Sequence, residues 1–222
     1  QIVFPYWMAN SAFPRADYGS NTADGGNLLG GWQHSLTNGD RLSLKAYYDR
    51  NILEESHYAQ AFTTLDVDLQ YETAIGSRNQ VTMGAGYRSI DGSFDDTFQV
   101  HIPDQTNDLY SAFLQDEINL VADRLWLTLG SKYEHNDFTG GEWQPSARLL
   151  WKPQPDHSVW AAVARAVRTP SMVEDGGAIT LAMLQAPTGL PAPFPPTIVF
   201  PLKLRGNSAF DVETLLAYEA GY

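Results

Sequence analysis

The sequence predicts an all-β protein, an antiparallel up-and-down transmembrane β-barrel of which about nine strands are present. Three observations predict it. Apolar and polar residues alternate at period two through most of the chain, the sign of strands whose two faces meet different surroundings. The connections alternate in length, short at about 37–40, 76–79, 122–124 and 153–156 and mostly long at the other end. The apolar face carries Tyr48, Tyr71, Tyr87 and Tyr133 towards its ends, as an interfacial girdle would.

Composition sets the bounds. The chain has 222 residues, enough for one large domain or two small ones. It has no cysteine, which argues against a disulfide framework or a thiolate metal site. A formal charge of −12 argues against nucleic acid as a partner, because phosphate contacts need clustered Lys and Arg. No apolar run approaches the roughly 18 residues of a membrane-spanning helix. Gln1 starts directly into Ile2-Val3-Phe4 without a signal peptide, so the chain reads as an excised or processed piece.

Residues 1–24 hold Phe4, Tyr6, Trp7, Phe13 and Tyr18 without periodicity and read as a structured loop. A strand is expected over 27–36, weakened by Gly30 and Gly31, and then a hairpin at Asn38-Gly39. Leu42, Leu44, Ala46 and Tyr48 share one face of the next strand, and the polar run 51–61 reads as a loop. Leu65, Val67, Leu69 and Tyr71 then alternate with Asp66, Asp68, Gln70 and Glu72. Three carboxylates on one face cannot sit in a dry core unpartnered, so that face meets water or a polar interior. Val81, Met83, Ala85 and Tyr87 repeat the theme, and 91–106 reads as a second polar loop.

From 109 to 121 the apolar face holds Tyr110, Ala112, Leu114, Ile118 and Leu120, interrupted by Asp116, while Phe113 is the exception on the polar face. Leu125, Leu127 and Leu129 follow the turn at Asp123-Arg124. Thr139-Gly140-Gly141 is a short joint where a long one was due. Ala147, Leu149 and Trp151 then face lipid and Arg148 the lumen, before the turn at 152–156. A very long proline-rich loop is expected over 170–207, and a last strand carries Val212, Leu216, Tyr218 and Tyr222. Nine strands leave the first and last running the same way, so they cannot close an antiparallel barrel together. Either the first strand is misplaced or the chain belongs to a larger barrel.

The motifs between 108 and 222 carry more than periodicity. They are Gln115-Asp116-Glu117, Glu134-His135-Asn136, Pro145-Ser146-Ala147-Arg148, and Arg165-Ala166-Val167-Arg168-Thr169-Pro170, with Ala164 where Ser is more usual. Further on come Leu204-Arg205-Gly206-Asn207, Glu213 and Tyr218-Glu219-Ala220-Gly221-Tyr222. Together they resemble the barrel of TonB-dependent outer-membrane receptors; before about residue 108 the likeness rests on pattern alone. The resemblance implies part of a large plugged barrel of the roughly 22-stranded kind in the bacterial outer membrane. Such a barrel would import iron–siderophore complexes, cobalamin or a similar scarce nutrient. Its implied partners are an iron chelate or other small ligand, outer-membrane lipid, and a TonB complex acting through an N-terminal plug. No plug or TonB-box segment is read in these residues, so 1–222 is expected to be a partial barrel domain with 1–24 and 170–207 as extracellular loops. The chain alone is not expected to transport, and no cofactor is implied.

Ligand capture, on this reading, lies in the loops: Tyr6, Trp7 and Arg15 at the start, and the segment from Phe194 to Arg205. Aromatics and Arg suit flat, anionic chelates, though a loop apex packing on itself accounts for them equally well. Arg165 and Arg168, three apart on a strand, face opposite ways, and the family pattern implies rim packing or loop docking for them. His57, His101 and His135 all project to the long-loop rim, but their spacing gives no metal site. Asp156-His157-Ser158 has the residue types of a catalytic triad without its convergence. The run 91–96 lacks calcium-loop spacing, and Gly84-Ala85-Gly86 lies mid-strand, not at a nucleotide-binding turn. No enzyme can be assembled from these groups. The competing readings are a passive porin-like channel and a soluble β-sheet binding module.

Overall fold

The computed structural model describes residues 20–55, 58–189, 191 and 197–222. Twelve strands and one short helix follow in order: β1 (Thr22–Ser35), β2 (Arg41–Glu55), β3 (Tyr58–Ile75), β4 (Asn79–Phe94), β5 (Val100–His101), β6 (Gln105–Val121), β7 (Leu125–Asn136), β8 (Gly140–Gln154), β9 (His157–Arg168), α1 (Met172–Gly176), β10 (Ala178–Pro187), β11 (Thr197–Arg205) and β12 (Glu213–Gly221). Nine of them form one antiparallel sheet in the order β1-β2-β3-β4-β6-β7-β8-β9-β12. The sheet is a meander and is open, with β1 and β12 at its edges. A small second sheet, β11-β10-β5, stands at the long-loop rim.

Register carries the two-faced pattern from strand to strand. Trp32, Leu44, Leu69, Ala85, Ala112, Tyr133 and Trp143 are successive cross-strand partners on the apolar face. One residue along, Ser43, Gln70, Gly84, Phe113, Lys132 and Gln144 form the matching row on the polar face. Leu127–Leu149 and Leu129–Ala147 pair on the apolar face and Thr128–Arg148 on the polar one, as the alternation predicts. A slip of one residue would exchange the faces, so burial of the apolar face in lipid would fix the register.

Among the described residues no second protein layer covers the apolar face. Leu28 is 73% exposed, Leu114 55% and Tyr218 75%. Among the described residues only Val81, Ile102 and Met172 are buried apolar side chains. A soluble sandwich would bury this face against another sheet; a membrane barrel leaves it to lipid.

Three ion pairs stand on the polar face. Arg88 Nε donates to Asp66 at 2.5 Å, Lys132 Nζ to Glu134 at 2.5 Å, and Arg41 Nη1 to Glu72 at 3.2 Å. Gly86 leaves the room this needs, since a Cβ there would lie 2.6 Å from Asp68 Oδ1 and 2.9 Å from Ser111 Oγ. Phe113 is accommodated in the same way, its ring lying over Gly84. Asp116, the one carboxylate interrupting the apolar face of β6, accepts a 2.6 Å bond from Asn79 Nδ2.

At the short-turn rim the β1–β2 hairpin is held by Asp40, which is 6% exposed. Its carboxylate accepts from Tyr71 Oη, from Thr73 Oγ1 at 2.7 Å and from Asn38 Nδ2 at 2.6 Å. At the opposite rim, buried Asn136 makes the tight 137–139 joint: its Oδ1 accepts from Phe138 N at 2.9 Å and Thr139 N at 3.0 Å.

The structure departs from the sequence reading in four places. β1 begins at Thr22, five residues before the expected start. The expected loop at 51–61 is strand through Glu55 and again from Tyr58, with Leu53 paired to Gln60. Half of the expected loop at 91–106 is the end of β4, the short β5 and the start of β6. The 170–207 segment holds α1, β10 and β11. The reason is common to the first three. Beyond the apolar band both faces of a strand meet polar surroundings, so the ladder continues while the alternation that signals it fades.

Candidate functional site at the long-loop rim

The site is built on the end of β9. Ser171, just past Thr169-Pro170, caps α1: its Oγ accepts from Glu174 N at 3.3 Å, and the Glu174 carboxylate accepts from Ser171 N at 2.8 Å. This is the reciprocal capping box of Ser-x-x-Glu. Arg168, on the polar face, then gathers two carboxylates. It donates to Glu174 from Nη1 at 2.9 Å and Nη2 at 3.0 Å, and to Glu213 from Nε at 2.9 Å and Nη2 at 2.8 Å. A planar guanidinium can serve both carboxylates two-pronged, which an ammonium cannot. The Arg168 guanidinium, with the Ser171 N–H, holds the Glu174 carboxyl down to about 2.

The helix is also seated from below. Met172 is buried on the polar side of β4, where a Cβ at Gly92 would lie 2.7 Å from its Sδ and 2.9 Å from Phe62 Cε1. Gln105 Nε2 donates to Met172 O at 3.3 Å. The loop leaving β9 therefore turns over the polar face and reaches β3 and β4.

From α1 rises the β10–β11 hairpin. Its two feet meet where Gly206 N donates to Gly177 O at 2.7 Å, and Asn207 N donates to Glu174 O at 2.8 Å. Gly206 has to be glycine, since a Cβ would lie 2.6 Å from Val173 O and 2.7 Å from Glu174 O. β10 also pairs with β5 through Ala178–His101 and Ile179–Val100, and Thr180 Oγ1 donates to Phe98 O at 2.9 Å. The hairpin is thus tied to both the β9–β12 connection and the β4–β6 connection.

The hairpin's two faces differ. Ile179, Ala182, Leu184, Ala186, Phe200 and Leu202 lie on one of them. The other places Arg205 opposite Ala178, which pairs in turn with His101, and Lys203 opposite Thr180. From 176 to 210 there is no Asp or Glu, in a chain with 26 of them. Among the described residues Arg41, Arg88, Lys132, Arg165 and Arg168 have a carboxylate within ion-pair distance, whereas Lys203 and Arg205, like Lys45, Arg50, Arg78, Arg124, Arg148 and Lys152, have none. Lys203 and Arg205 thus stand on a run of sequence free of acids, where an anion can meet two cations.

Of the residues the sequence singled out, Tyr6, Trp7, Arg15, Phe194 and His57 lie outside the described residues. Arg205 is the candidate ligand residue that the structure describes, at the foot of the hairpin. His101 Nδ1 lies 2.5 Å from Asp96 Oδ1, and His135 faces Tyr110 across β6 and β7. Among the described residues no group of three or more His, Cys, Asp and Glu is placed to hold a metal. Arg165 and Arg168 do face opposite ways: Arg165 pairs with Leu216 in register and donates to Trp143 O and, at 2.8 Å, to Glu142. Sequence reasoning missed Glu174, Met172 and Gly92, and covered Lys203 only as part of the segment from Phe194 to Arg205. The Ser171-x-x-Glu174 spacing could have found α1, and the acid-free stretch could have found Lys203.

A family model described as the β-barrel of TonB-dependent receptor-like proteins matches residues 4–222. No curated protein matches the sequence. Among solved structures the chain is similar to the siderophore receptor PirA from Pseudomonas aeruginosa, with TM-score 0.71 and 17% identity over 91% of this chain and 36% of that one. It is also similar to PirA from Acinetobacter baumannii, with TM-score 0.68 and 16% identity over 90% of this chain and 32% of that one. A variant of the ferric enterobactin receptor PfeA from Pseudomonas aeruginosa, solved with enterobactin, matches with TM-score 0.66 and 18% identity over 90% and 32%. The chain spans about a third of the length of these structures.

Proposed function

Since the chain belongs to the TonB-dependent receptor β-barrel family, we propose that it is one wall of a bacterial outer-membrane active transporter for anionic iron chelates, energised through TonB. The apolar face meets lipid, the polar face lines the lumen, the short turns are periplasmic and the long loops extracellular. The basic pair Lys203 and Arg205, joined through Gly206 to the helix whose Met172 sits on the polar side of β4, carries the reading. An iron–siderophore complex with catecholate or carboxylate donors is flat-faced and negatively charged, and unpaired cations at the mouth attract it. Lys203 and Arg205 bind its anionic edge, and the aromatics at Tyr6, Trp7 and Phe194 supply stacking surface. The solved relatives support this choice, because two are siderophore receptors and one was solved with enterobactin.

The test is uptake of radiolabelled iron by cells whose only receptor for it is the full-length protein. Iron supplied as a tris-catecholate is expected to accumulate only with TonB present, and Lys203→Gln/Arg205→Gln to raise the half-saturating concentration about tenfold, the size of one lost charged contact. Uptake of cobalamin in place of iron would redirect the substrate. Conductance through planar bilayers without any energy source would favour a passive channel.

A further inference from the structure

We infer that Arg168 is a positioning residue for ligand capture: it sets where Arg205 and Lys203 stand at the mouth, although it does not touch ligand itself. The inference rests on the reading above that these two cations meet the ligand.

The link from Arg168 to Arg205 is continuous in the structure. Arg168 holds the Glu174 side chain with two bonds and the Glu213 side chain with two more. Glu174 is in turn the residue whose backbone carbonyl receives Asn207 N at 2.8 Å, and Gly206 packs against the carbonyls of Val173 and Glu174. Arg205 is the next residue, paired with Ala178 immediately after Gly177. Displacing Glu174 therefore displaces the ledge on which the hairpin's returning strand lands. Met172 in its Gly92–Phe62 socket fixes the helix from the other side, so the ledge has two supports.

Glu213 gives the clasp its second function. It opens β12, opposite Arg168 in register, so one guanidinium ties the outgoing and the returning ends of the whole 169–212 excursion. Release of Arg168 frees both ends together. The alternative role, a rim ion pair that only stabilises the barrel wall, makes a different prediction. It would change stability and leave the ligand affinity of the folded receptor where it was.

The experiment uses the full-length receptor in detergent micelles, with an iron(III) tris-catecholate as probe. Arg168→Ala is expected to raise Kd about tenfold. The deciding measurement is a double-mutant cycle. If Arg168 acts through the basic pair, adding Arg168→Ala to Lys203→Gln/Arg205→Gln raises Kd no further. Additive effects, or an unchanged Kd for Arg168→Ala, overturn the inference. Gly206→Ala breaks the same ledge without removing a charge and is expected to reproduce both results, which covers the case in which Arg168→Ala fails to assemble. Amide exchange at Gly206 and Asn207 tests the structural step without ligand: it is expected to speed up in Arg168→Ala. Unchanged exchange overturns the inference even if the receptor takes a different substrate. Native receptor that binds no iron chelate defeats the functional reading alone.

Discussion

At the scale of single residues, the wall is held by a few polar side chains that close its turns. Asn136 is buried and satisfies two backbone N–H groups of its joint, and Asn136→Ala removes their acceptor. A loss of about 1–3 kcal/mol is expected, read as a lower denaturation midpoint of the refolded receptor. Glu174 gives a pH dependence of known sign. Its folded value, about 2, lies below its ordinary 4.5. The ion pair's contribution is therefore fully present above about pH 4.5 and is lost as pH falls through 2. Protease cutting within 170–212 is expected to be flat from pH 8 to pH 5, and the loop amides to lose protection relative to their intrinsic exchange rates only below about pH 3. Asp40 follows the same direction, its carboxyl held low by the hydroxyls of Tyr71 and Thr73.

At the scale of elements, the hairpin and the helix under it are the part that the wall displays. Met172→Ala leaves an unfilled socket over Gly92 and is expected to destabilise the seating of α1 by about 2 kcal/mol, seen as faster exchange in 171–177 with strand protection unchanged. Strands were legible from sequence wherever one face is apolar and the other polar, as in Leu65-Asp66-Val67-Asp68-Leu69, because only there does the alternation appear. Where both sides are wet, as over 51–61, the same ladder is built from residues with no period, and the sequence gives no sign of it. α1 escaped for another reason. A five-residue helix has no hydrophobic period to read, and only its cap, Ser171-x-x-Glu174, betrays it. The clasp itself was half legible. Arg168, Arg205, Gly206 and Glu213 stand in motifs, but a motif does not say that Glu174 is the residue that joins them.

At the scale of the molecule, nine strands with one apolar face and two open edges form an open section of wall. Isolated in water, the chain is expected to associate through that face and those edges, and a cooperatively melting, detergent-free monomer would speak for a soluble module. The central claim is that lipid lies on one side of this wall and an aqueous lumen on the other. Its most direct test is collision of nitroxide labels in the full-length receptor reconstituted into vesicles. Labels at Leu69, Ala85 and Leu149 are predicted to collide with oxygen and to be shielded from a water-soluble nickel chelate. Labels at Gln70, Thr82 and Gln144 are predicted to avoid lipid, with low oxygen collision. Equal accessibility on the two faces, or high nickel-chelate collision at Leu69 and Leu149, would contradict the account.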